Sequence, residues 1–460
     1  MFKTQTYIER RKKLKNDIGS GLLLFLGNNE SPMNYADNTF HFRQDSTFLY
    51  FFGVSHPGLA AIIDCESGEE TVYGDNYTID DVVWMGKQPT IADRFVAAGI
   101  QKTKPAKQLT DDLQTAQKQG RAIHFLPPYR PENKIRIFEM LGIELSRQKA
   151  ASSLAFIQDV IAQRNYKSAE ELVEIEKAVN ITADMHVAAM KMLRPGMKES
   201  EVAAEVQRIA QAAGGQISFP VIATINGQTL HNHYHGNTAQ SGQMFLLDCG
   251  AETEMGYAGD MSSTFPVDPK FTTRQKEIYQ VALNAHEASI AMLKPGVPFK
   301  DVYYESARTI LKGLGQLGFF MGDVEEALAA GVHAMFFPCG LGHMMGLDVH
   351  DMEDLGEQYV GYHNEAKSTQ FGAKSLRLGR KLEPGFVLTI EPGIYFIPDL
   401  IDKWRAEKKF MNFLNYEKLE AYQDFSGCRN EEDFVITETG YRLLGKPIPK
   451  TISEVEATRG

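Results

Sequence analysis

The 460-residue sequence has little cysteine, no long apolar run and no excess of positive charge. Its four cysteines are widely spaced and include no CxxC pair, which argues against a disulfide framework and favours a reducing compartment. The apolar run from Leu22 to Leu26 is too short to span a membrane, and the first residues lack the apolar core of a signal peptide. We therefore expect a cytoplasmic protein.

The bulk composition excludes several other classes of protein. The net charge of −11, with no basic stripe to offset it, argues against a nucleic-acid partner. A chain that is 43% hydrophobic and 23% charged is neither disordered nor fibrous. Its length allows two or three domains and a large buried core.

Residues 1–165 have the pattern of an α/β domain. Four short apolar runs, which we interpret as strands, alternate there with helix-like segments, and they are GLLLFLG, FLYFFGV, LAAIID and AIHFLPP. A boundary is predicted near Asn165, because Ser168 and Glu171 have the spacing of a capping box at the start of a helix. Residues 166–460 are expected to form the second domain.

The second domain contains two internal echoes. The segment Met192–Val202 recurs as Met292–Val302, and each copy predicts a helix, a Pro-Gly break and another helix. The segments Gly242–Gly250 and Gly385–Gly393 share a leading glycine, an apolar strand, a carboxylate and a closing glycine. Chance could produce either echo alone, but their matching order favours a duplication whose halves deliver ligands to one cleft.

Five residues predict a metal site. Each lies in its own short segment, and the five are Asp248, Asp260, His343, Glu391 and Glu431. Four carboxylates and one imidazole carry too much negative charge to lie together unless cations neutralise them. Oxygen-rich ligands with one nitrogen suit divalent ions such as Mn²⁺, and two ions sharing carboxylates would balance the charge. Any one of these residues alone would more often cap a helix or lie at the surface; five in order point to a two-metal hydrolase.

The predicted strands explain how the ligands meet. Asp248 is expected to end one strand and Asp260 to lie on the next, so that their carboxylates face each other. In RNEEDFVIT, the residues Arg429, Glu431 and Asp433 alternate and should share one face of a single strand. Arg429 and Asp433 would then orient the ligand Glu431.

These segments resemble the "pita-bread" metallopeptidases, the clan of methionine aminopeptidase, aminopeptidase P, prolidase and creatinase. Phe42–Gly58 resembles the amino-terminal domain of the proline-specific members, and Val83–Lys87 resembles a segment of that domain in prolidase. Ser375–Ile397 and the insertion before Cys428 are similar to prolidase more than to aminopeptidase P. The resemblance implies a creatinase-like amino-terminal α/β domain followed by a pseudo-twofold pita-bread α+β catalytic domain.

The resemblance also implies roles for the ligands. Asp248 would bind one metal ion, and His343 and Glu391 would bind the other. Asp260 and Glu431 would bind both ions. Two divalent ions are expected, with manganese first and zinc, cobalt or magnesium as alternatives. Glu391 would also accept the proton of the attacking water.

Further site residues follow from the same resemblance. His233 matches a substrate-side histidine, and His350 matches a histidine that contacts the peptide carbonyl. Tyr395 and Arg429 would be supporting groups on the substrate side. Arg377 matches the arginine that, in prolidases, holds the free carboxylate of a dipeptide, although it could simply be a surface arginine.

Trp84 matches a tryptophan that reaches into a neighbouring subunit's site, which implies a homodimer or a dimer of dimers. A single aromatic residue is also compatible with an ordinary half-buried tryptophan. His231, His233 and His235 alternate, so a strand would place them on one face like a zinc site, but only His233 matches the family.

Two departures from the family pattern affect the site. Members of the family have the sequence HGxxH before the LDVHD segment. In this chain Cys339 replaces the first histidine of that motif, and His343 is the second. Cys339 is expected to line the substrate pocket and to alter a substrate contact there. The loop between Asp248 and Asp260 is also one residue longer than usual.

The sequence therefore predicts a dinuclear metallopeptidase that cleaves the bond before proline, with Xaa-Pro dipeptides as favoured substrates. An Xaa-Pro aminopeptidase that acts on longer peptides is the first alternative. A non-catalytic binding module of the same fold is the second, and the complete ligand set counts against it. The same set counts against creatinase-like hydrolysis of a small C–N compound.

Overall fold

The computed structural model describes all 460 residues. The chain folds into two compact units: Met1–Arg164 with Met352–Tyr359, and Asn165–Asp351 with Val360–Gly460. None of the helices is both long enough and apolar enough to cross a membrane.

The first unit contains one five-stranded mixed sheet of order β4-β3-β2-β1-β5. Its strands are β1 Leu22–Leu26, β2 Ala60–Asp64, β3 Glu70–Tyr73, β4 Lys102–Lys104 and β5 Ile123–Phe125. The helices of this part are α1 Thr4–Ile18, α2 Ser46–Phe52, α3 Ile79–Met85, α4 Ile91–Phe95, α5 Gln108–Lys118, α6 Pro131–Leu141, α7 Gln148–Ala151 and α8 Leu154–Arg164.

One of the four predicted strands of this unit is wrong. The run FLYFFGV lies mostly in helix α2, whose residues are all buried, so its continuous apolar pattern did not distinguish a helix from a strand. Two local signals fix the helix. The Asp45 side chain accepts a hydrogen bond from the Phe48 N–H at its start, and Gly53 ends it in the left-handed region.

The second unit begins with the predicted capping box, in which Ser168 and Glu171 bond each other's backbone N–H groups. Its helices are α9 Ala169–Met192, α10 Glu199–Ala212, α11 Thr273–Ala291, α12 Phe299–Gln316, α13 Val324–Ala330, α14 Glu357–Val360 (which begins within the 352–359 stretch of the first unit), α15 Pro398–Ala406, α16 Tyr416–Glu420 and α17 Ile452–Arg459. Its strands are β6 Gln216–Ile217, β7 Ile222–Thr224, β8 Met244–Cys249, β9 Ala251–Glu252, β10 Met261–Pro266, β11 Val387–Ile390, β12 Gly393–Tyr395, β13 Gly427–Arg429, β14 Glu432–Ile436 and β15 Tyr441–Leu443.

The two internal echoes occupy equivalent places in this unit. A Pro-Gly break separates α9 from α10 in the first copy and α11 from α12 in the second. The sheet β10-β8-β7 follows the first helix pair, and the sheet β11-β14-β15 follows the second. Gly242 and Gly385, which lead β8 and β11, have φ angles of 87° and 90°, a conformation that glycine adopts at little cost. Each turn therefore starts a fully buried strand that delivers a carboxylate.

Candidate metal centre

The first pair of carboxylates is placed by strands β8 and β10. The two strands are antiparallel, with Ser262 opposite Asp248. Asp260 immediately precedes β10 rather than lying on it, because its backbone N–H donates to Asp433 Oδ2 (3.1 Å) instead of joining the ladder. Since Asp260 is two residues from Ser262, it projects toward the same side as Asp248.

The second group of ligands comes from the other half of the unit. His343 Nε2 lies 3.3 Å from Asp260 Oδ2 and 3.7 Å from Glu391 Oε1. Ligand atoms of Asp260, His343 and Glu431 all lie within 4.8 Å of one another, and these three residues are buried. The His343 Nδ1–H donates to the Met344 carbonyl (3.1 Å), so Nε2 presents its lone pair to the carboxylates.

The expectation of a single strand through Arg429, Glu431 and Asp433 is wrong. Strand β13 ends at Arg429 and pairs with β12, whereas β14 begins at Glu432 and pairs with β11. The chain changes partner strand at this point because the Glu431 N–H donates to the Ser262 carbonyl (2.9 Å). All three side chains nevertheless reach residues of the same centre.

The charge balance of this centre favours bound cations. Burial raises the pKa of Asp260 to about 8 and that of Glu391 to about 7, and it raises the pKa of Glu431 well above its usual range. Neighbouring carboxylates add to the shifts of Asp260 and Glu431. Oδ1 of Asp260 and Oε1 of Glu431 are buried and accept no hydrogen bond. Buried carboxylate oxygens of this kind are costly unless a ligand satisfies them, and the donor set fits divalent cations.

Arg429 supports the metal-facing side of the site. It is almost fully buried, and its guanidinium donates to Asp248 Oδ2 (2.5 Å), Ser262 Oγ (2.8 Å) and Tyr395 Oη (2.7 Å). Tyr395 is fully buried behind Arg429 and does not line the cavity. The structure therefore places Tyr395 as a support of Arg429.

A cavity of about 540 Å³ opens in front of these ligands, a size that suits a small ligand. All five predicted metal ligands line it, together with Arg429. Six other lining residues are apolar, and we call them together the apolar wall: Phe219, Pro220, Ile222, Leu230, Pro338 and Val349. The cavity thus combines a strongly acidic base with a surface suited to an apolar group.

Three histidines line the cavity in addition to His343. The ring of His350 lies 4.4 Å from that of His343, and His231 and His233 lie on the cavity wall. The segment 231–237 forms no strand, and the His235 Nε2–H donates to the Val221 carbonyl (3.0 Å) outside the cavity. His231 has no role implied by the family resemblance, and its place before His233 in the alternating triplet is the only signal in the sequence.

Arg377 and Cys339 also line the cavity. Burial raises the pKa of the Cys339 thiol to about 12, so the thiol stays protonated and is a weak nucleophile at neutral pH. Trp84 lies in helix α3 of the first unit, with 85% of its surface exposed. The structure therefore brings together every predicted site residue of the second unit except the buried Tyr395, which reaches the centre through Arg429.

Known proteins match this chain over most of its length. The sequence profile of metallopeptidase family M24 matches residues 173–438, and that of the aminopeptidase P N-terminal domain matches residues 7–124. An Xaa-Pro dipeptidase of Homo sapiens is 30% identical over 98% of this chain and 91% of its own length. An Xaa-Pro aminopeptidase of Escherichia coli K12 is also 30% identical, over 98% of this chain and 97% of its own.

Solved structures show the same fold. The aminopeptidase PepP of Pseudomonas aeruginosa superposes with a TM-score of 0.82 at 26% identity, covering 100% of this chain and 98% of its own. A zinc-substituted aminopeptidase P of E. coli in complex with product superposes with a TM-score of 0.81 at 28% identity, with the same coverage.

Proposed function

Since the chain belongs to metallopeptidase family M24, we propose that its acidic centre hydrolyses the peptide bond that precedes proline. The observation that carries this proposal is that all five predicted metal ligands line one cavity, and that ligand atoms of three of them lie within 4.8 Å of one another. The predicted fold class, an aminopeptidase P-type amino-terminal domain followed by a pita-bread catalytic domain, is confirmed.

The proposed ligand assignment divides the five side chains between two divalent ions. Asp248 would hold one ion, His343 and Glu391 would hold the other, and Asp260 and Glu431 would contribute to both sites. Manganese is our first choice, with zinc, cobalt or magnesium as alternatives. When bound, such ions supply Lewis acidity toward the scissile carbonyl and lower the pKa of water.

The residues of the chain supply the remaining chemistry. Glu391 is only partly buried, with its side chain 20% exposed, so it can accept the proton of a water in the cavity. His350 and His233 are proposed to donate hydrogen bonds to the peptide carbonyl as negative charge develops on its oxygen. Arg429 holds Asp248 in place through the 2.5 Å contact.

The preference for proline is attributed to the apolar wall of the cavity. A proline ring has no N–H to satisfy and restricts the peptide backbone, so an apolar surface can bind it without leaving a buried donor unpaired. Cys339 lies on the cavity surface beside Pro338, where its protonated thiol offers a small, weakly polar contact.

We favour Xaa-Pro dipeptides because Arg377 lines the cavity and can bind a free carboxylate with its guanidinium fork. We expect Arg377→Ala to lower kcat/KM for Ala-Pro about 100-fold, since losing one member of such a charged pair costs about 2–5 kcal/mol. Cleavage of Ala-Pro-Ala should change little. Release of the amino-terminal alanine from the two peptides by the Mn²⁺-loaded protein measures both effects, because Ala-Pro yields alanine and proline whereas Ala-Pro-Ala yields alanine and Pro-Ala.

The matched control is Arg380→Ala. Arg380 is three residues away, but its Nη2 donates to Glu383 (2.6 Å) and it does not line the cavity, so both rates should be unchanged. An equal loss of kcat/KM for Ala-Pro in the two arginine variants would contradict the proposal that Arg377 binds the substrate carboxylate.

The same assay distinguishes the alternatives. The similarity to aminopeptidase P structures over the whole chain supports an Xaa-Pro aminopeptidase. That enzyme would cleave Ala-Pro-Ala faster than Ala-Pro in the unmodified protein. A non-catalytic binding module would cleave neither peptide and would hold no stoichiometric metal.

We also propose that the protein forms a homodimer through helix α3. This helix has no buried residue, and it exposes four large apolar side chains by 61–85%, namely Ile79, Val83, Trp84 and Met85. Apolar surface of this kind is typical of a protein interface. Sedimentation velocity should show a dimer for the parent protein and a monomer for Trp84→Glu; a monomeric parent would exclude this interface.

A cytoplasmic location completes the proposal. All four cysteines are free, and none forms a disulfide, as expected in a reducing compartment.

A further inference from the structure

One loop of the second unit carries two of the site histidines. It runs from His343 to Asp351, and its ends are joined by a hydrogen bond from the Asp351 N–H to the Met344 carbonyl (2.9 Å). The rings of His343 and His350 lie 4.4 Å apart even though seven positions separate them. The closure of this loop, which we call the histidine loop, therefore places the ring of His350 beside that of His343.

A buried ion pair stands at the base of the histidine loop. Lys167 Nζ lies 2.8 Å from Asp351 Oδ2, and each side chain is 1% exposed. The other oxygen of Asp351 accepts a long hydrogen bond from the Asp348 N–H (3.4 Å). Removing two charges from water is costly, and well-packed apolar residues often stabilise such a place as well or better. Stability alone is therefore a weak explanation for the pair.

The backbone of Lys167 connects this pair to the strand that delivers Glu391. Its N–H donates to the carbonyl of Gly385 (2.9 Å), the turn glycine that leads β11. The histidine loop pairs with the same strand, since the Met345 N–H donates to the Val387 carbonyl (3.0 Å). Lys167 thus fixes Asp351 relative to β11.

The packing around the pair is tight at Gly346. A Cβ atom at Gly346 would lie 2.7 Å from Asp351 Oδ2 and 2.8 Å from Lys167 Cε. The Gly346 carbonyl also accepts a hydrogen bond from the Ala258 N–H (2.9 Å), two residues before Asp260. The ion pair therefore lies where the histidine loop, β11 and the loop that carries Asp260 meet.

We propose that Lys167 and Asp351 are positioning residues that hold His350 against the substrate carbonyl. This inference rests on the proposed peptidase function. Neither residue lines the cavity, so each acts through the histidine loop and not by touching substrate.

The test separates positioning from stability by removing one charge or both. Lys167→Met and Asp351→Leu should each lower Tm by several degrees, because each removes one charge of a buried pair and leaves the opposite charge in place. The double variant removes both charges and should recover most of the parental Tm. Its kcat for Ala-Pro should remain roughly 10- to 100-fold below the parental value, the range seen when groups that orient site ligands are lost.

Two further readouts belong to the same experiment. KM of the double variant should stay within about twofold, because the cavity wall and Arg377 are unchanged. Mn²⁺ titration, followed by the rise in Tm, should give an affinity close to that of the parent protein, because hydrogen bonds to Thr389 anchor His343 to β11 and the other four ligands lie outside the loop. Asp351→Asn, which keeps the shape of the side chain, replaces the leucine variant if that one does not fold.

The control is Val455→Ala, a truncation in the core cluster of the same unit. It should lower Tm without changing kcat at 25 °C. Parental kcat in a double variant of restored Tm would overturn the proposal, since the pair would then be merely structural. Absence of Ala-Pro cleavage in the unmodified protein would instead refute the proposed function, so the two failures are distinguishable.

Discussion

Glu431→Gln is expected to lower metal-dependent cleavage of Ala-Pro by about 10³-fold or more, because a neutral amide cannot replace a carboxylate that holds divalent ions. Glu431 is 2% exposed, and its Oε1 has no hydrogen-bond partner. Glutamine keeps the size of the side chain and can still accept the hydrogen bond from Ser262 Oγ (2.8 Å). Steady-state proline release by parent and variant at saturating Mn²⁺ measures the loss.

The same substitution should change stability in opposite directions with and without metal. Without metal, glutamine removes repulsion from Asp260, Glu391 and Asp248, so the variant should melt higher than the parent. With metal at 100 times Kd, the parent should gain about 2.7 kcal/mol and the variant much less. Thermal unfolding in chelator and in Mn²⁺ measures both effects. An equal gain in the two proteins would show that Glu431 is not a ligand.

His350→Ala is expected to lower kcat for Ala-Pro by about 10²–10³-fold, because it removes a donor to the oxygen on which charge develops. KM should change only a few-fold, since that contact strengthens in the transition state. Mn²⁺ binding should be unchanged, because His350 is not assigned as a ligand. Initial rates over a range of Ala-Pro concentrations separate kcat from KM.

The matched control for His350 is His235→Ala. His235 belongs to the segment that carries His233, but its ring bonds the Val221 carbonyl and does not line the cavity. Its variant should keep kcat within about twofold of the parent. A loss in KM alone for His350→Ala would assign His350 to substrate binding and not to catalysis.

The convergence of the five candidate ligands on one cavity could be predicted from the sequence because each candidate lies in a segment that presents it. Asp248 lies near the end of an apolar strand and Glu391 directly follows another; a glycine leads each strand, and both glycines have the predicted role at a turn. The turn glycine, the strand and the carboxylate are local to each segment, so they do not depend on how distant segments pack. The order of the five segments along the chain indicated that the five residues belong to one site.

Features that depend on distant partners were not predictable in the same way. The break between β13 and β14 exists because the Glu431 N–H bonds Ser262, a residue 169 positions away. The alternation of residues in RNEEDFVIT predicts one continuous strand and does not indicate a contact with Ser262. Helix α2 was misread for another reason: it is buried on every side, so its sequence has neither helical nor strand periodicity.

The Lys167–Asp351 pair shows the same limit. Its members are 184 positions apart, and neither lies in a pattern that predicts an ion pair. Only the folded chain shows that the first residues of the second unit contact the histidine loop. The side chains that line the cavity were thus easier to predict than the buried pair behind them.

The most direct test of the central claim is proline release from Ala-Pro by chelator-stripped protein as Mn²⁺ is added back. We predict no release from the stripped protein and a rate that rises with Mn²⁺ and saturates near two ions per chain. Release that is unaffected by stripping, or absent at every metal concentration, would contradict a metal-dependent Xaa-Pro peptidase.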